Sequence, residues 1–316
     1  SGADGISFFL ADGSQPATVG ALGGSLGYSC SNGNSTYDGV VGGYIGLGID
    51  EYGNFSNSGD NTNTGPGATP GRISLRGAGN TNWANLSTNY SQYYPTSGMS
   101  TSQSNAVQRT CRAGYLYNYS GSGTYDATGR WINDGGRTYE KIPYNYNYIT
   151  GDTLSGVTLY SQEATNNPVR GSATPITYGL TITQDGLLSL SYSVNGGTAQ
   201  PVITNRSITA SNGPLPSSFR FGFSAGTGGG SNVHEITCFK AAPVGQSSSS
   251  AGTNVQQTAR IEAGTQLYLA YYHANNWWGE LTAQTMGVDA KTGKFTINTA
   301  ANWDASCTLT GGACPA

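Results

Sequence analysis

Three oxygen-bearing residues, Asp50, Tyr52 and Asn54, alternate at the end of a glycine-rich apolar run. Alternate residues of an extended segment face the same side. The side chains of Asp50 and Asn54 and the backbone carbonyl of Tyr52 can therefore face one hard cation, and Asp60 can complete the set from the next loop. Ca²⁺ takes about six to eight oxygen ligands, so water would fill the remaining positions. An ordinary turn rich in Asp and Asn fits the same residues, and the pattern alone leaves both interpretations open.

Catalytic sets are not apparent among the same residue types. Glycoside hydrolysis needs two carboxylates about 5–9 Å apart in one groove. No Glu-x-Asp-x-x-Glu motif or similar pairing occurs, and the adjacent Asp50 and Glu51 point to opposite faces of a strand. His234 and His273 fall in separate segments, and no Ser/His/Asp arrangement stands out. We therefore expect a binding protein and not an enzyme.

The elements that must position these residues are predicted to be short β-strands. Asp185-Gly186 lies between two alternating runs and is a strong hairpin signal. No segment shows a long helical period with caps, so we predict an all-β antiparallel sandwich of the jelly-roll kind. The predicted strands are Ile6–Leu10, Val40–Asp50, Arg72–Arg76, Tyr178–Thr183, Leu187–Val194, Phe219–Ala225 and Val233–Phe239.

The composition favours an external β-protein. The chain has 316 residues, a net charge of −3, 10 % charged residues, 48 glycines and 21 tyrosines. Many Gly and Tyr with few charges suit strands joined by turns. No basic cluster supports nucleic-acid binding, and no apolar run approaches the roughly 20 residues that span a bilayer. The chain opens almost directly into an apolar strand, so we expect it to be a piece of a longer protein.

Three segments are predicted along the chain. Residues 1–242 form the sandwich, interrupted at about 78–177 by an insertion of loops and short strands rich in Tyr, Asn, Ser and Gly. The insertion is either a structural cover over a sheet or a second binding surface. Residues 243–257 are a Ser-rich linker, and residues 258–316 are a short β-rich appendage.

The five cysteines predict disulfides and therefore an oxidising compartment. Cys307 and Cys314 lie close in sequence across a Gly-Gly turn and are the favoured pair. Cys30 with Cys111 is a second expected pair, which leaves Cys238 as a buried thiol. Five reduced, buried cysteines are the alternative.

Five motifs, in this order, resemble the L-type (legume-type) lectins. The resemblance covers most of residues 1–241 apart from the insertion, and it implies a concanavalin-like jelly roll that binds carbohydrate. The motifs are Ala3-Asp4-Gly5, Gly24-Ser25-Leu26-Gly27, Asp50-x-Tyr52-x-Asn54, Arg72-Ile73-Ser74-Leu75-Arg76-Gly77 and Phe221-Gly222-Phe223-Ser224-Ala225.

The resemblance implies a role for each residue at the sugar site. The carboxylate of Asp4 accepts hydrogen bonds from two sugar hydroxyls, and the backbone N–H of Gly24 donates a third. Asn54 binds both the cation and the sugar. The Tyr52 ring stacks on the apolar face of the pyranose.

The variable loop that selects the sugar matches the segment that begins with Gly226 and Thr227. The resemblance also implies Ca²⁺ as the cofactor. The family's paired transition-metal site uses a glutamate where this chain has Gly48, and a histidine that is missing between Asp60 and His234. We therefore expect no transition metal. Ca²⁺ is retained, or the loop keeps its shape without a metal.

The appendage resembles the first propeller strand of type IV pilus tip adhesins of the PilC/PilY kind. The resemblance rests on Tyr268–His273, Asn276–Leu281 and Trp303–Ala305, and an unrelated β-rich appendage is the alternative. It implies an extracellular carbohydrate-binding adhesin module on a bacterial pilus, with glycans and minor pilins as partners. The alternative function is a structural or protein-interaction module with a lectin fold whose sugar site is unused.

Overall fold

The computed structural model describes residues 4–99, 101–117, 140–155, 174–227, 232, 234–236 and 239. It also describes the backbone of short strands at 124–125, 131–133, 269–270, 286–288 and 295–297. Among these residues, no helix combines the length and apolarity needed to cross a bilayer.

Strands dominate the secondary structure, with a few short helices between them. The strands are β1 Gly5–Asp12, β2 Gly43–Asp50, β3 Arg72–Arg76, β4 Thr124–Tyr125, β5 Trp131–Asn133, β6 Tyr148–Thr153, β7 Ile176–Ile182, β8 Leu187–Val194, β9 Gln200–Ser207, β10 Phe219–Gly226, β11 Leu269–Ala270, β12 Met286–Val288 and β13 Phe295–Ile297. The helices are α1 Trp83–Asn89, α2 Gln103–Ala113 and α3 Thr209–Asn212, and Gly23–Ser25 forms a 3₁₀ turn.

The larger sheet has the strand order β11-β10-β1-β2-β3-β6, and the second sheet has the order β7-β8-β9. All pairings are antiparallel except the short parallel contact of β11 with β10. In the register of the larger sheet, Gly5 is opposite both Gly226 and Asp50. The start of β1 and the ends of β2 and β10 therefore meet at one edge.

The two sheets form a sandwich around one apolar core. Strands β2 and β3 of the larger sheet and strands β8 and β9 of the smaller sheet contribute most of its side chains. This architecture confirms the prediction of an all-β antiparallel sandwich. The core residues are Tyr44, Ile45, Leu47, Ile73, Leu75, Ala78, Leu154, Leu188, Leu190, Tyr192, Ile203 and Ile208.

The opposite face of the larger sheet is covered by loops that approach it closely. A Cβ at Gly46 would lie 2.1 Å from Cδ1 of Tyr28, and a Cβ at Gly48 would lie 2.3 Å from Cδ1 of Phe55. Only a glycine leaves room for these buried rings. The loop that contains Tyr28 is also fixed to β1, because the Ser7 hydroxyl donates a 2.6 Å hydrogen bond to the Leu26 carbonyl.

The predicted insertion contains two helices, so the expectation of loops and short strands alone was wrong. Helix α2 is capped by Ser102, whose hydroxyl accepts a 3.2 Å bond from the Asn105 N–H, and it ends at Gly114 with φ +72°. The helices pack around a separate apolar cluster that holds the insertion together. This cluster contains Leu86, Tyr94, Ala106, Val107, Leu116, Tyr117 and Ile142.

Two further strand predictions need correction. Strand β6 belongs to the predicted insertion, yet it pairs with β3 and extends the larger sheet. The insertion is therefore partly built into the sandwich. Residues His234, Glu235 and Ile236 are outside any strand, although they fall within the predicted strand Val233–Phe239.

Cys30 and Cys111 form a disulfide with an S–S distance of 2.02 Å, as expected for the second predicted pair. It links the loop that follows the 3₁₀ turn to α2 and so ties the insertion to the sandwich. Cys238, Cys307 and Cys314 lie outside the described residues.

Candidate functional site

Asp4 lies at the edge where three strand ends meet. Its backbone N–H donates a 2.7 Å bond to the carbonyl of Gly226, the last residue of β10. Its carbonyl accepts 3.1 Å bonds from the N–H groups of Glu51 and Tyr52, which follow β2. Asp4 therefore bridges β10 and the segment after β2, and these bonds fix its backbone at the rim of the sheet.

The Asp4 carboxylate is a buried anion without a partner among the described residues. The residue is 6 % exposed, and no described group donates a hydrogen bond to its side chain. Burial raises its pKa, and the charge of Asp60 raises it further. A buried carboxylate of this kind is a strong acceptor for any hydroxyl or amine that reaches it, because charge-assisted hydrogen bonds are stronger than neutral ones.

Gly24 and Asn54 are in contact beside this edge. A Cβ at Gly24 would lie 2.7 Å from the Asn54 side-chain carbon Cγ, so the close approach requires glycine. The amide oxygen Oδ1 of Asn54 is buried and has no hydrogen-bond partner in the described part of the chain. Asn54 therefore offers a second unsatisfied acceptor.

Asn61 holds the loops of Gly24 and Asn54 together. Its Nδ2 donates to the Asn54 carbonyl at 2.9 Å and to the Gly24 carbonyl at 3.4 Å. Its Oδ1 accepts from the hydroxyls of Ser25, at 2.9 Å, and Ser29. The role of this residue was not predicted, because one Asn in a loop rich in Asn and Ser gives no signal of its own.

The Asp50 side chain holds the backbone of the loop that follows β2. It is fully buried; its Oδ1 accepts a 2.7 Å bond from the Gly53 N–H and its Oδ2 a 2.6 Å bond from the Phe55 N–H. Burial raises its pKa to about 7, against the opposing effect of these N–H groups. The charge of Asp4 also acts on Asp50. Asp50 is therefore close enough to Asp4 to feel its charge, and it holds the backbone on both sides of Asn54.

Arg76 is a second residue whose role was not predicted. Its guanidinium is fully buried beneath the same loop. Burial lowers its pKa to about 9 while the charge of Asp50 opposes that change, so it is charged at neutral pH. The alternation of polar and apolar residues in Arg72–Arg76 is typical of a strand with one solvated face, whereas both faces of this strand are covered.

The predicted metal ligands Asp50, Tyr52, Asn54 and Asp60 lie on one loop but do not form a cage. Asp50 uses both carboxylate oxygens for backbone N–H groups, and Asp60 Oδ2 accepts a 2.7 Å bond from Asn57 Nδ2. No group of three or more His, Cys, Asp or Glu side chains within the described ranges could hold a metal. In this arrangement both oxygens of Asp50 accept from backbone N–H groups, and bound Ca²⁺ stays a prediction.

The chain after β10 returns to the same edge. Asn232 Nδ2 donates a 2.6 Å bond to Glu51 Oε2, and His234 Nδ1 lies 3.7 Å from Glu51 Oε1. Thr227 follows Gly226 at the rim and is half-buried. A Cβ at Gly226 would lie 3.4 Å from Asp4 Oδ2, so this position also borders the carboxylate.

The structure thus brings Asp4 together with Gly226, and Gly24 together with Asn54, while Tyr52 projects outward with 51 % of its surface exposed. The fold and this rim define a β-sandwich protein with polar groups at one end of its larger sheet. Comparison of the chain with protein-family models, curated proteins and solved structures finds no match.

Proposed function

We propose that this protein is a lectin-like module, a concanavalin-like jelly roll, that binds carbohydrate reversibly at the rim formed by Asp4, Gly24, Tyr52 and Asn54. The observation that carries the proposal is the buried Asp4 carboxylate, which lacks a hydrogen-bond donor among the described residues. A ligand with several hydroxyls supplies the donors that this group needs.

The chemistry of the rim suits a sugar. Asp4 accepts hydrogen bonds from hydroxyls, and the Gly24 N–H donates one to a sugar oxygen. The Asn54 amide oxygen is buried in the unliganded arrangement, so its part in binding requires the side chain to turn outward. Fixed acceptors bind well because little conformational entropy is lost when the ligand arrives. The half-exposed ring of Tyr52 provides apolar contact for the C–H face of a pyranose. Gly226 and Thr227 border the Asp4 side and are proposed to select among sugars.

We further propose that the module is displayed outside a bacterial cell, at a pilus tip, with glycans and minor pilins as partners. The Cys30–Cys111 disulfide supports an oxidising location. The resemblance of residues 258–316 to pilus tip adhesins supports the pilus assignment.

The test is glycan binding by the full chain on an array, followed by calorimetry with the best ligand. Asp4→Asn keeps the side-chain shape but removes the charge, and a lost hydrogen bond to a charged group costs about 1.5–3 kcal/mol. We expect a loss of affinity of about tenfold or more. Asp152→Asn, an exposed carboxylate on β6, is the matched control and is expected to bind normally. Equal affinity of both variants would contradict the proposal.

A structural or protein-interaction module is the second candidate. The observation in its favour is that the insertion has its own apolar cluster, in which Tyr94 and Tyr117 are fully buried. Such a unit can present a stable docking surface. Binding of purified minor pilins that survives Asp4→Asn, together with an empty glycan array, would favour this candidate. Release of reducing sugars from polysaccharides would contradict both and indicate a hydrolase.

A further inference from the structure

The guanidinium of Arg76 lies at the centre of the loop that carries Asn54. All of its described partners are neutral oxygens, and three of the four are backbone carbonyls. Nε donates to Phe55 O at 2.7 Å, Nη1 to Thr62 Oγ1 at 3.1 Å and to Tyr146 O at 3.0 Å, and Nη2 to Thr64 O at 3.2 Å.

This arrangement resembles the coordination of a hard cation, for which backbone carbonyls and hydroxyls are common ligands. A guanidinium stays charged in a protein interior and presents five N–H groups in a rigid plane. A charge without solvent is tolerated only where hydrogen bonds replace its hydration. Arg76 meets this condition by drawing both ends of the loop, at Phe55 and Thr64, toward one point.

The two backbone groups of Phe55 are held by the side chains of Asp50 and Arg76. Its N–H donates to the Asp50 carboxylate at 2.6 Å, and its carbonyl accepts from Arg76 at 2.7 Å. Asn54 precedes Phe55 directly, so the clamp on Phe55 fixes the backbone next to Asn54. At the site that the resemblance implies, a bound Ca²⁺ would have this organising role.

The space beside Gly48, where the resembling family has a glutamate that binds the metal, is filled by another side chain. The resemblance implies a glutamate at the position of Gly48, but a Cβ there would lie 2.3 Å from the Phe55 ring. The ring is fully buried, and the Arg76 guanidinium carbon lies 5.6 Å from its centroid. The Phe55 ring therefore occupies the space into which that glutamate would extend, and the Arg76 guanidinium lies beside the ring.

We propose that Arg76 is an internal cation that organises residues 53–64 in place of a bound metal, so that the site containing Asn54 forms without Ca²⁺. The statement about the loop stands on the Arg76 contacts alone, and its consequence for ligand binding rests on the proposed function. Arg76 is a positioning residue, since it does not reach the rim itself.

The first experiment is thermal unfolding of the full wild-type chain in excess EDTA and in millimolar CaCl₂, with Ca²⁺ as the only probe. A ligand that binds the folded state raises Tm with concentration. We expect the two values of Tm to agree within about 1 °C. A Tm that falls in EDTA and is restored by titrated Ca²⁺ would overturn the inference. This arm needs no variant and no glycan.

The second experiment compares Arg76→Met with Arg72→Met by hydrogen exchange of residues 53–64. Arg72 lies on the same strand and donates to Tyr148 Oη at 2.8 Å and Gly151 O at 2.6 Å, and neither partner belongs to residues 53–64. Arg76→Met leaves several carbonyls without donors, so we expect exchange in the loop to rise at least tenfold, in EDTA and in CaCl₂ alike. Arg72→Met is expected to leave loop exchange unchanged. Equal loop protection in both variants would overturn the inference.

The outcomes separate this inference from the proposed function. A Tm that is insensitive to EDTA, combined with an empty glycan array, would preserve the internal cation and reject the lectin function. Glycan binding that disappears in EDTA together with a lowered Tm would preserve the function and reject the internal cation.

Discussion

The two faces of the larger sheet are both buried, but they are built from different residues. One face presents Leu47, Ile73 and Leu75 to the smaller sheet. The other presents Gly48, opposite Ser7 on one side and Ser74 on the other, to the loops. Asp50 and Arg76 also belong to this second face, where both are fully buried.

The difference between the two faces shows that one mainly stabilises the fold, whereas the other also positions the loops. Burial of apolar area is favourable wherever side chains fit, and it needs no particular direction. Hydrogen bonds contribute less net free energy but depend on distance and angle. On the loop face, the glycines of β2 leave room for buried rings of the loops, such as Tyr28 and Phe55, and directional bonds fix the loops in place. We therefore expect substitutions on the sandwich face to change the free energy of unfolding, and those on the loop face to change ligand affinity as well.

Leu75→Ala on the sandwich face is expected to have the largest effect on stability. Leu75 is fully buried between the two sheets, and Leu→Ala in such a core costs about 2–5 kcal/mol through lost transfer energy and a cavity. Denaturant unfolding measures this loss. Glycan affinity of the folded fraction is expected to stay within about twofold of wild type, and a large change in affinity would show that the two faces are not separable.

Gly48→Ala on the loop face is expected to destabilise by about 1–3 kcal/mol, as overpacking does. The new methyl would collide with the Phe55 ring and displace the loop next to Asn54. Affinity is therefore expected to fall about tenfold, which calorimetry would detect. Gly179→Ala on β7 is the control, because its new methyl would meet only the Ser191 hydroxyl, at 3.0 Å. Unchanged affinity in Gly48→Ala would refute the role of the loop face.

Asn61→Ala removes the side chain that joins the loops of Gly24 and Asn54. The variant would leave three groups without their partner: the hydroxyls of Ser25 and Ser29 and the Asn54 carbonyl. Each buried unsatisfied group costs about 1–3 kcal/mol unless water replaces the Asn61 side chain. We expect a smaller loss of stability than for Leu75→Ala and a clear loss of affinity. Asn89→Ala, at an exposed position in α1, provides the baseline. Loss of stability without loss of affinity would limit Asn61 to a structural role.

Local patterns in the sequence predict several elements correctly. The hairpin at Asp185-Gly186 was predicted from its turn residues, and Gly186 has φ +79° between β7 and β8. Strand β8 has the predicted bounds, Leu187–Val194. The period-2 alternation and the glycine turn depend only on neighbouring residues, so they can be predicted without the fold.

The same local rules could have identified α2. Ser102 and Gly114 are typical N- and C-terminal signals, and Ala106, Val107 and Thr110 lie on one buried side between them. The polar, Tyr-rich surroundings concealed this pattern. The roles of Arg76 and Asn61 could not be predicted in this way, because their partners come from segments up to 70 residues distant. Only the assembled sheet and loops bring those groups together.

Stability and ligand affinity are expected to change in opposite directions with pH, because both depend on the ionisation of Asp4. Burial and then the Asp60 charge raise the pKa of Asp4. Because the folded-state pKa is raised, the stability that protonated Asp4 contributes to the unliganded protein is lost as pH rises through that pKa. Ligand binding needs the ionised form, so affinity rises over the same interval. Calorimetry and unfolding at several pH values should show these opposite trends.

Asp60→Asn tests the cause of that dependence. Removal of the Asp60 charge lowers the pKa of Asp4, so the acidic loss of affinity should move to lower pH. Asp152→Asn is the control and should leave the profile in place. A profile that is identical in wild type and Asp60→Asn would contradict the assignment of the titration to Asp4.

Tyr52→Ala is expected to have the smallest effect on stability and still to weaken binding. The side chain is 51 % exposed, and surface substitutions usually change the free energy of unfolding by less than about 0.5 kcal/mol. Loss of its ring removes the apolar contact with the sugar, so affinity should fall several-fold. Tyr144→Ala, at a tyrosine that is 40 % exposed and lies in the insertion, is the matched control. If both variants bind alike, the ring of Tyr52 lies outside the site, and the rim is reduced to its polar groups.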